Sequence, residues 1–157
     1  MNKKLLIGPI TAILVLVVIF GATYFVDEES DVTKRDDVVN VVTGVVELYQ
    51  VHGEKSFDMI TKNQDYLKAG QAYPFVMNGD LTEIVAHGFK PEVVGTPPSG
   101  LSDANISIPE MIDALDKDGT VWVQYTWDNP DTGTIDHKNS YLRAYDGYVF
   151  GSGFYIP

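Results

Sequence analysis

The sequence predicts an α+β fold in which a membrane-spanning helix leads into a long helix packed on a five-stranded antiparallel sheet. Three observations support this prediction. Residues 5–26 carry no charge, valines recur at helical spacing between residues 38 and 46, and β-rich segments after residue 73 are separated by Asn-Gly and Asp-Gly pairs. A long helix followed by strands joined through tight turns is typical of α+β domains.

The uncharged segment from Leu5 to Val26 is long enough to cross a bilayer. As a helix, it would span about 33 Å. Lys3 and Lys4 precede it, and basic residues on this side favour an N-terminus that stays in the cytoplasm. The alternative is a cleaved signal peptide, but Phe20-Gly21-Ala22-Thr23 is a poor cleavage site, and the apolar segment is longer than such peptides need.

These features predict three regions. Residues 1–4 form a cytoplasmic tail, residues 5–26 form a transmembrane anchor, and residues 27–157 form one extracytoplasmic domain. We therefore expect a single-pass protein of the cell membrane whose C-terminal domain lies outside the cytoplasm. Within that domain, the long helix is predicted over residues 30–51 and the sheet over residues 73–156.

The long helix is predicted from its apolar residues. Apolar residues recur there at helical spacing, which is the pattern of an amphipathic helix. They are Val38, Val39, Val41, Val42, Val45, Val46, Leu48 and Tyr49. Because β-branched residues are mediocre helix formers, a strand is the local alternative. The length of the segment favours the helix.

Five strands are predicted in the remainder of the chain. They are Tyr73 to Met77, Thr82 to His87, Thr120 to Trp127, Lys138 to Tyr145 and Tyr148 to Tyr155. Asn78-Gly79 and Asp146-Gly147 supply tight-turn chemistry within two hairpins. A crossover with a loop and a short helix, from Pro109 to Asp116, connects the first hairpin with the last three strands.

Composition excludes several classes of function. The chain has no cysteine, so disulfides, thiolate catalysis and cysteine-based zinc sites are excluded. Its net charge is −11, and because Lys3 and Lys4 precede the apolar segment, the charge from Asp27 onward is −13. Such a surface repels phosphate backbones, so no nucleic-acid partner is expected.

No catalytic or metal-binding pattern is visible in the sequence. The three histidines lack the spacing of a zinc site, and the aspartates between residues 113 and 131 lack the order of an EF-hand loop. Neither a nucleophile elbow nor a phosphate-binding loop is present. We therefore expect no enzymatic activity, no metal and no cofactor.

Several short motifs follow one another in an order that resembles the single Cache domain, a PAS-like ligand-sensing module that lies outside the membrane in chemoreceptors and sensor kinases. The motifs are the aromatic pair Tyr73 and Phe75, Gly79, Ala86-His87, Gly95, the run from Tyr125 to Pro130, Lys138-Asn-Ser-Tyr141 and Gly151-Ser-Gly153-Phe-Tyr155. The resemblance covers about residues 32–157. Pro74, where an aromatic residue is usual, and Gly88, where proline is usual, depart from the family pattern.

The resemblance implies a fold, a function and partners. The fold would be a long helix on a PAS-like sheet, and the function would be extracytoplasmic sensing of a short carboxylate or similar metabolite in signal transduction or chemotaxis. The partner would be a receptor, a kinase or a second copy of the chain. Chemoreceptors of this type continue into a second membrane helix, so the end at Pro157 raises an alternative: a stand-alone ligand-binding or accessory module that acts through a partner receptor or transporter.

The resemblance also implies a ligand site. Its candidate residues are Tyr73, Phe75, His87, Tyr125, Trp127, Lys138 and Tyr141. Lys138 would attract an anionic group, whereas aromatic walls with polar tips suit small ligands and ordinary sheet cores equally well. His87 would titrate near neutrality as a ligand contact, or it would be a strand-end histidine satisfied by the backbone. We expect Tyr73, His87, Lys138 and Tyr141 to converge around one cavity on the crossover side of the sheet.

Overall fold

The computed structural model of the chain describes residues 17–19, 22–24, 28–63 and 72–156. Contacts divide the chain into two compact units, Met1–Thr33 and Lys34–Pro157. In the first unit, β1 (Val17–Ile19) and β2 (Ala22–Tyr24) form an antiparallel pair in which Val17 lies opposite Tyr24.

These six residues belong to the segment from Leu5 to Val26 that was predicted as a transmembrane helix, and they are strands instead. Valine, isoleucine, threonine and tyrosine have high β propensity, which accounts for the local difference. The other residues of that segment lie outside the described residues. Among the residues that the structure describes, no helix is both long enough and apolar enough to span a membrane.

The predicted long helix is confirmed as α1 (Glu28–His52), which a second helix, α2 (Lys55–Lys62), follows. Gly53 ends α1 in a left-handed conformation with φ +58°. Its N–H donates to the Tyr49 carbonyl at 2.7 Å, which satisfies one of the open carbonyls at the helix end. Val38, Val42, Val45 and Val46 are buried because they share one helical face.

The predicted five-stranded antiparallel sheet is also confirmed. Its strands are β3 (Phe75–Asn78), β4 (Ile84–His87), β5 (Thr120–Asp128), β6 (Ile135–Tyr145) and β7 (Tyr148–Tyr155). They lie in the order β4-β3-β7-β6-β5, and every neighbouring pair is antiparallel. The C-terminal strand β7 is therefore central, and it joins the two hairpins that the sequence separates.

The turn between β3 and β4 differs from the predicted two-residue hairpin at Asn78-Gly79. The Asn78 side-chain oxygen accepts the N–H groups of Thr82 and Glu83, both at 2.9 Å. Leu81 adopts φ +57° and buries its side chain. Because the asparagine side chain replaces the tight backbone turn, β4 begins two residues later than predicted.

The crossover between β4 and β5 contains two 3-10 helices, Pro91–Val93 and Ser99–Asp103, and then α3 (Ile108–Asp118). A capping box begins α3, because the Ser107 hydroxyl accepts the Glu110 N–H while the Glu110 carboxylate accepts the Ser107 N–H. Gly119 ends α3 with φ +73°.

Each face of the sheet is covered by different elements. One face, called the helix face, packs against α1 and α2 through Val42, Val45, Val46, Ile60, Val76, Ala86 and Phe150. The other face, called the crossover face, packs against α3 and the 3-10 helices through Met77, Leu101, Met111, Leu115, Val123 and Leu142. Alternation along each strand decides which face a side chain joins.

The two departures from the family pattern, Pro74 and Gly88, contact each other. The Gly88 N–H donates to the Pro74 carbonyl at 2.9 Å. A Cβ at position 88 would lie 3.0 Å from that carbonyl oxygen and 3.2 Å from the Pro74 ring. Glycine at position 88 thus gives Pro74 both the room and the hydrogen bond that a proline there would remove.

Candidate functional site

Lys138 is the most unusual side chain of the domain, because it is a lysine with no exposed surface. Its Nζ lies 3.7 Å from the ring centre of Tyr73 and 5.4 Å from the ring centres of both Phe75 and Tyr155. We call Lys138 and these three rings the aromatic cage. Within residues 28–63 and 72–156, Nζ has no hydrogen-bond partner.

Burial controls the charge state of this lysine. Removing an ammonium from water costs several kcal/mol, whereas contact with an aromatic face returns about 2 kcal/mol. Desolvation therefore dominates, and it lowers the pKa of Lys138 well below its usual range. Compared with a lysine in water, burial in the cage favours the neutral amine over the ammonium.

The phenol groups of Tyr73 and Tyr155 are hydrogen-bonded to each other. Tyr155 Oη donates to the Asp128 carbonyl at 2.5 Å. Since that bond uses its proton, Tyr155 accepts from Tyr73 Oη, 3.0 Å away. Burial is the main cause that raises the pKa of both phenols. Neither hydroxyl therefore offers Lys138 a negative charge.

A second hydroxyl pair lies on the neighbouring strands. Tyr125 is opposite Lys138 in the β5–β6 register. Its Oη lies 3.1 Å from Ser140 Oγ, and both residues are buried. Burial raises the pKa of Tyr125 to about 12, despite the opposing effect of the Ser140 hydrogen bond. This side of the cage is polar but uncharged.

His87 ends β4 and is only 3% exposed. Its Nδ1 accepts the N–H groups of Phe89 at 3.2 Å and Lys90 at 2.9 Å. These bonds place the ring proton on Nε2. Burial is the main cause that lowers the pKa of His87 to about 3.

The expectation that His87 titrates near neutrality is therefore wrong, because desolvation holds the ring neutral. The alternative of a strand-end histidine satisfied by the backbone describes Nδ1 correctly. Nε2–H is left as a neutral donor.

Trp127 stacks on His87 with ring centres 5.7 Å apart and an angle of 30° between the rings. It also meets Tyr125 edge-on at 6.4 Å. Its indole Nε1 is buried and has no hydrogen-bond partner in the described part of the chain. At the rim, Lys90 forms an ion pair with Asp128, and the Lys90 Nζ lies 6.0 Å from the Trp127 ring centre.

A small cavity of about 20 Å³ lies between these rings and the crossover. It is lined by Phe75, Met77, Ile84, His87, Pro98, Gly100, Leu101, Tyr125 and Trp127. This volume holds about one water molecule. Phe75 belongs both to the cavity wall and to the cage, so its ring separates the cavity from Lys138.

The 3-10 helix Ser99–Asp103 forms the outer wall of the cavity. A Cβ at Gly100 would lie 2.6 Å from the Trp127 ring and 3.1 Å from the Tyr125 ring. The backbone thus packs directly on the two rings, which only glycine allows. Any ligand larger than water must displace this segment or the rings beneath it.

Comparison with known proteins identifies the family. Residues 24–157 match the Cache domain family. The chain belongs to this family. Cache domains are sensory ligand-binding modules. No curated protein sequence matches the chain at a significant level.

Three solved structures share the fold of this Cache domain. A periplasmic sensor domain of a chemotaxis protein has a TM-score of 0.59 at 24% identity, covering 82% of this chain and 96% of its own. A Cache chemosensory domain, solved as the structural basis for carboxylic acid recognition, has a TM-score of 0.62 at 19% identity, covering 84% and 99%. A methyl-accepting chemotaxis protein from Vibrio parahaemolyticus RIMD 2210633 has a TM-score of 0.56 at 24% identity, covering 82% and 93%.

The Cache fold brings six of the seven candidate residues together around the cavity and the cage. They are Tyr73, Phe75, His87, Tyr125, Trp127 and Lys138. Tyr141 is not among them, because it packs on the helix face and lies 5.3 Å from Trp122, ring centre to ring centre. Tyr141 lies three positions after Lys138, and an odd number of positions along a strand places two side chains on opposite faces.

Two further residues of the candidate site were not predicted from the sequence. Tyr155 closes the cage, and Ser140 holds Tyr125, yet neither was a candidate. Tyr155 lies opposite Lys138 in the β6–β7 register. The glycines at 151 and 153 share its face of β7 and leave room for Phe75 and Ser140. That alternation of small residues before a tyrosine was the available signal.

The buried His87 predicts a pH dependence of stability. Its pKa is about 3 when folded and near 6.5 when unfolded, so only the unfolded chain binds the proton between these values. The free energy of unfolding should therefore fall by about 1.4 kcal/mol per pH unit below pH 6.5 because of this residue. Urea unfolding at several pH values measures the slope.

The variant His87→Gln isolates this contribution, because glutamine offers a carbonyl acceptor and cannot titrate. Between about pH 6.5 and about pH 4.5, the free energy of unfolding of this variant should fall less steeply with pH than that of the wild type. The difference in slope should correspond to one bound proton. The exposed His52→Gln is the matched control. Equal slopes for wild type and His87→Gln would contradict the neutral buried histidine.

Proposed function

We propose that this chain is a membrane-anchored extracytoplasmic sensor that binds a short carboxylate or a similar small anion. The observation that carries the proposal is the Lys138 amine, which is fully buried in the aromatic cage and has no acceptor among the residues that the structure describes. A carboxylate would supply both a negative charge and an acceptor at a position where their absence is costly. Carboxylic acid recognition by one Cache domain of similar fold supports the ligand class.

The residues around the cavity and the cage would make different contributions to binding. Lys138 supplies the charge, and Trp127 Nε1–H and His87 Nε2–H supply neutral donors. Met77 and Leu101 give the apolar remainder of a short ligand a dry surface. The role is binding and signalling, and no catalytic step is proposed.

Signalling would follow from the small size of the cavity. Because about 20 Å³ admits no organic ligand, the bound state must differ from this one at the Ser99–Asp103 segment or at the Phe75 ring. A ligand that binds only the opened state shifts the population toward it. Phe75 lies on β3, and the next residue, Val76, packs in one cluster with the valines of α1. A shift of β3 would therefore change the packing of α1.

The location and partners are also part of the proposal. The apolar segment Leu5 to Val26 would anchor the chain and place the domain outside the cytoplasm. The periplasmic sensor domain and the methyl-accepting chemotaxis protein of similar fold support this placement. A receptor, a kinase or a second copy of the chain would receive the signal.

Retention of the anchor gives a direct prediction. The N-terminal sequence of the mature protein should begin at or near Met1, and the protein should fractionate with membranes. This is expected because the apolar segment is longer than a signal peptide requires and lacks a good cleavage site. A mature protein that begins near Thr23 or Tyr24 would contradict the anchor.

A ligand panel tests the binding function. Thermal unfolding of the full chain in detergent micelles would be measured with short carboxylates and with their uncharged amides, for example propionate and propionamide. Carboxylates should raise the melting temperature, since a ligand of the native state stabilises it by mass action. The amides should not. A response to neutral or cationic compounds alone would overturn the carboxylate class but leave a sensing domain.

A further inference from the structure

We propose that a carboxylate enters this domain together with a proton, so that Lys138 changes from amine to ammonium when the ligand binds. This inference rests on the proposed function and adds to it a coupling between ligand binding and proton uptake. The sensor would then respond to the ligand anion and to the proton concentration as one combined signal.

In the free cage, the groups around Lys138 that belong to the described part of the chain offer it no negative charge. The rings of Tyr73, Phe75 and Tyr155 contact it. Tyr125 lies opposite it on β5, Ser140 follows it by two positions on the same face of β6, and His87 ends β4 beside the Phe75 ring. The phenols are neutral, and the histidine is neutral. The nearby Asp128 carboxylate is paired with Lys90.

A bound ligand changes the electrostatic environment of the cage. A carboxylate beside Nζ supplies an opposite charge in a water-poor site, where the attraction is strong. The pKa of the amine must then rise toward or above its usual value of about 10.4. Between the lowered pKa of the free domain and this raised value, binding requires one proton from solvent.

The binding step balances in protons and in charge. The neutral amine and the carboxylate anion take up one proton and form an ammonium–carboxylate pair, and no covalent bond of the ligand breaks. Binding of the undissociated acid gives the same product, because the acid passes its proton to Nζ. Over that pH range, each rise of one pH unit should weaken the apparent affinity by about tenfold.

Calorimetry measures the coupling. Acetate and propionate would be titrated into the full chain in detergent micelles, between about pH 6 and about pH 9, in two buffers that differ in ionisation enthalpy. The buffer difference gives the number of protons taken up, which should rise toward one per bound ligand as the pH rises. Binding without proton uptake across this range would overturn the inference and leave the proposed function intact.

A second measurement distinguishes the proton uptake from carboxylate binding itself. In protein with ¹³C-labelled lysine, the Cε resonance of Lys138, assigned by its loss in Lys138→Met, reports the protonation of the amine. It should titrate below the usual value of about 10.4 in the free protein and move to its protonated position with saturating acetate. Titration of the free protein at the usual value would overturn the inference. Failure of every carboxylate to bind would overturn the proposed function and the linkage with it.

Discussion

Replacing Lys138 by methionine is expected to weaken the binding of a short carboxylate by about 10- to 150-fold. This range corresponds to the roughly 1.5–3 kcal/mol that a hydrogen bond to a charged group contributes. Methionine is preferable to alanine, because Lys138 is fully buried and alanine would leave a cavity. Titration calorimetry of wild type and variant with the same ligand gives the ratio.

The stability of the variant should move in the opposite direction. Methionine keeps the length of the side chain and removes a buried amine that has no hydrogen-bond partner among the described residues. Lys138→Met should therefore unfold at a higher temperature than the wild type. The exposed Lys117→Met, on α3, is the matched control and should change neither quantity. An unchanged dissociation constant for Lys138→Met would remove this lysine from the site.

The second large effect is expected at Gly153. A Cβ there would lie 2.3 Å from Ser140 Oγ and 2.6 Å from the Asn139 carbonyl oxygen on the adjacent strand. Because backbone cannot move aside as a side-chain tip can, Gly153→Ala should destabilise the domain by about 3 kcal/mol. It should also disturb Tyr125, whose hydroxyl is bonded to Ser140.

Urea unfolding measures this change, and Gly44→Ala is its control. Gly44 is exposed on α1, and a Cβ there meets nothing within 4 Å. Alanine in a helix interior is more favourable than glycine by about 1 kcal/mol, so this variant should be more stable. A Gly153→Ala midpoint equal to that of the wild type would show that β6 and β7 separate more easily than their register indicates.

Much of the fold could be predicted from local chemistry. The helical spacing of the valines predicted α1, and the β-rich segment from Thr120 to Trp127 predicted β5. The turn after β3 could not be predicted in the same way. Its shape depends on the Asn78 side chain, which accepts the backbone N–H groups of Thr82 and Glu83 in place of a tight backbone turn.

The site was harder to predict because it depends on which strands are neighbours. Tyr155 joins the cage only because β7 pairs with β6 and places it opposite Lys138. The error at Tyr141 was avoidable, since alternation alone puts it on the other face. The neutral state of His87 was not accessible from sequence, because it depends on complete burial and on the positions of two backbone N–H groups.

The strand β5 carries both tryptophans of the chain, one on each face of the sheet. Trp127 forms part of the cavity wall, whereas Trp122 lies under α1 with the Arg35 guanidinium carbon 4.7 Å from its ring centre. The protein thus contains two intrinsic fluorophores in different places. With Trp122→Phe, emission would follow events in the cavity, and with Trp127→Phe, it would follow the contact with α1. Stopped-flow traces of the two variants could therefore time the arrival of a ligand and the response of the helix as separate events.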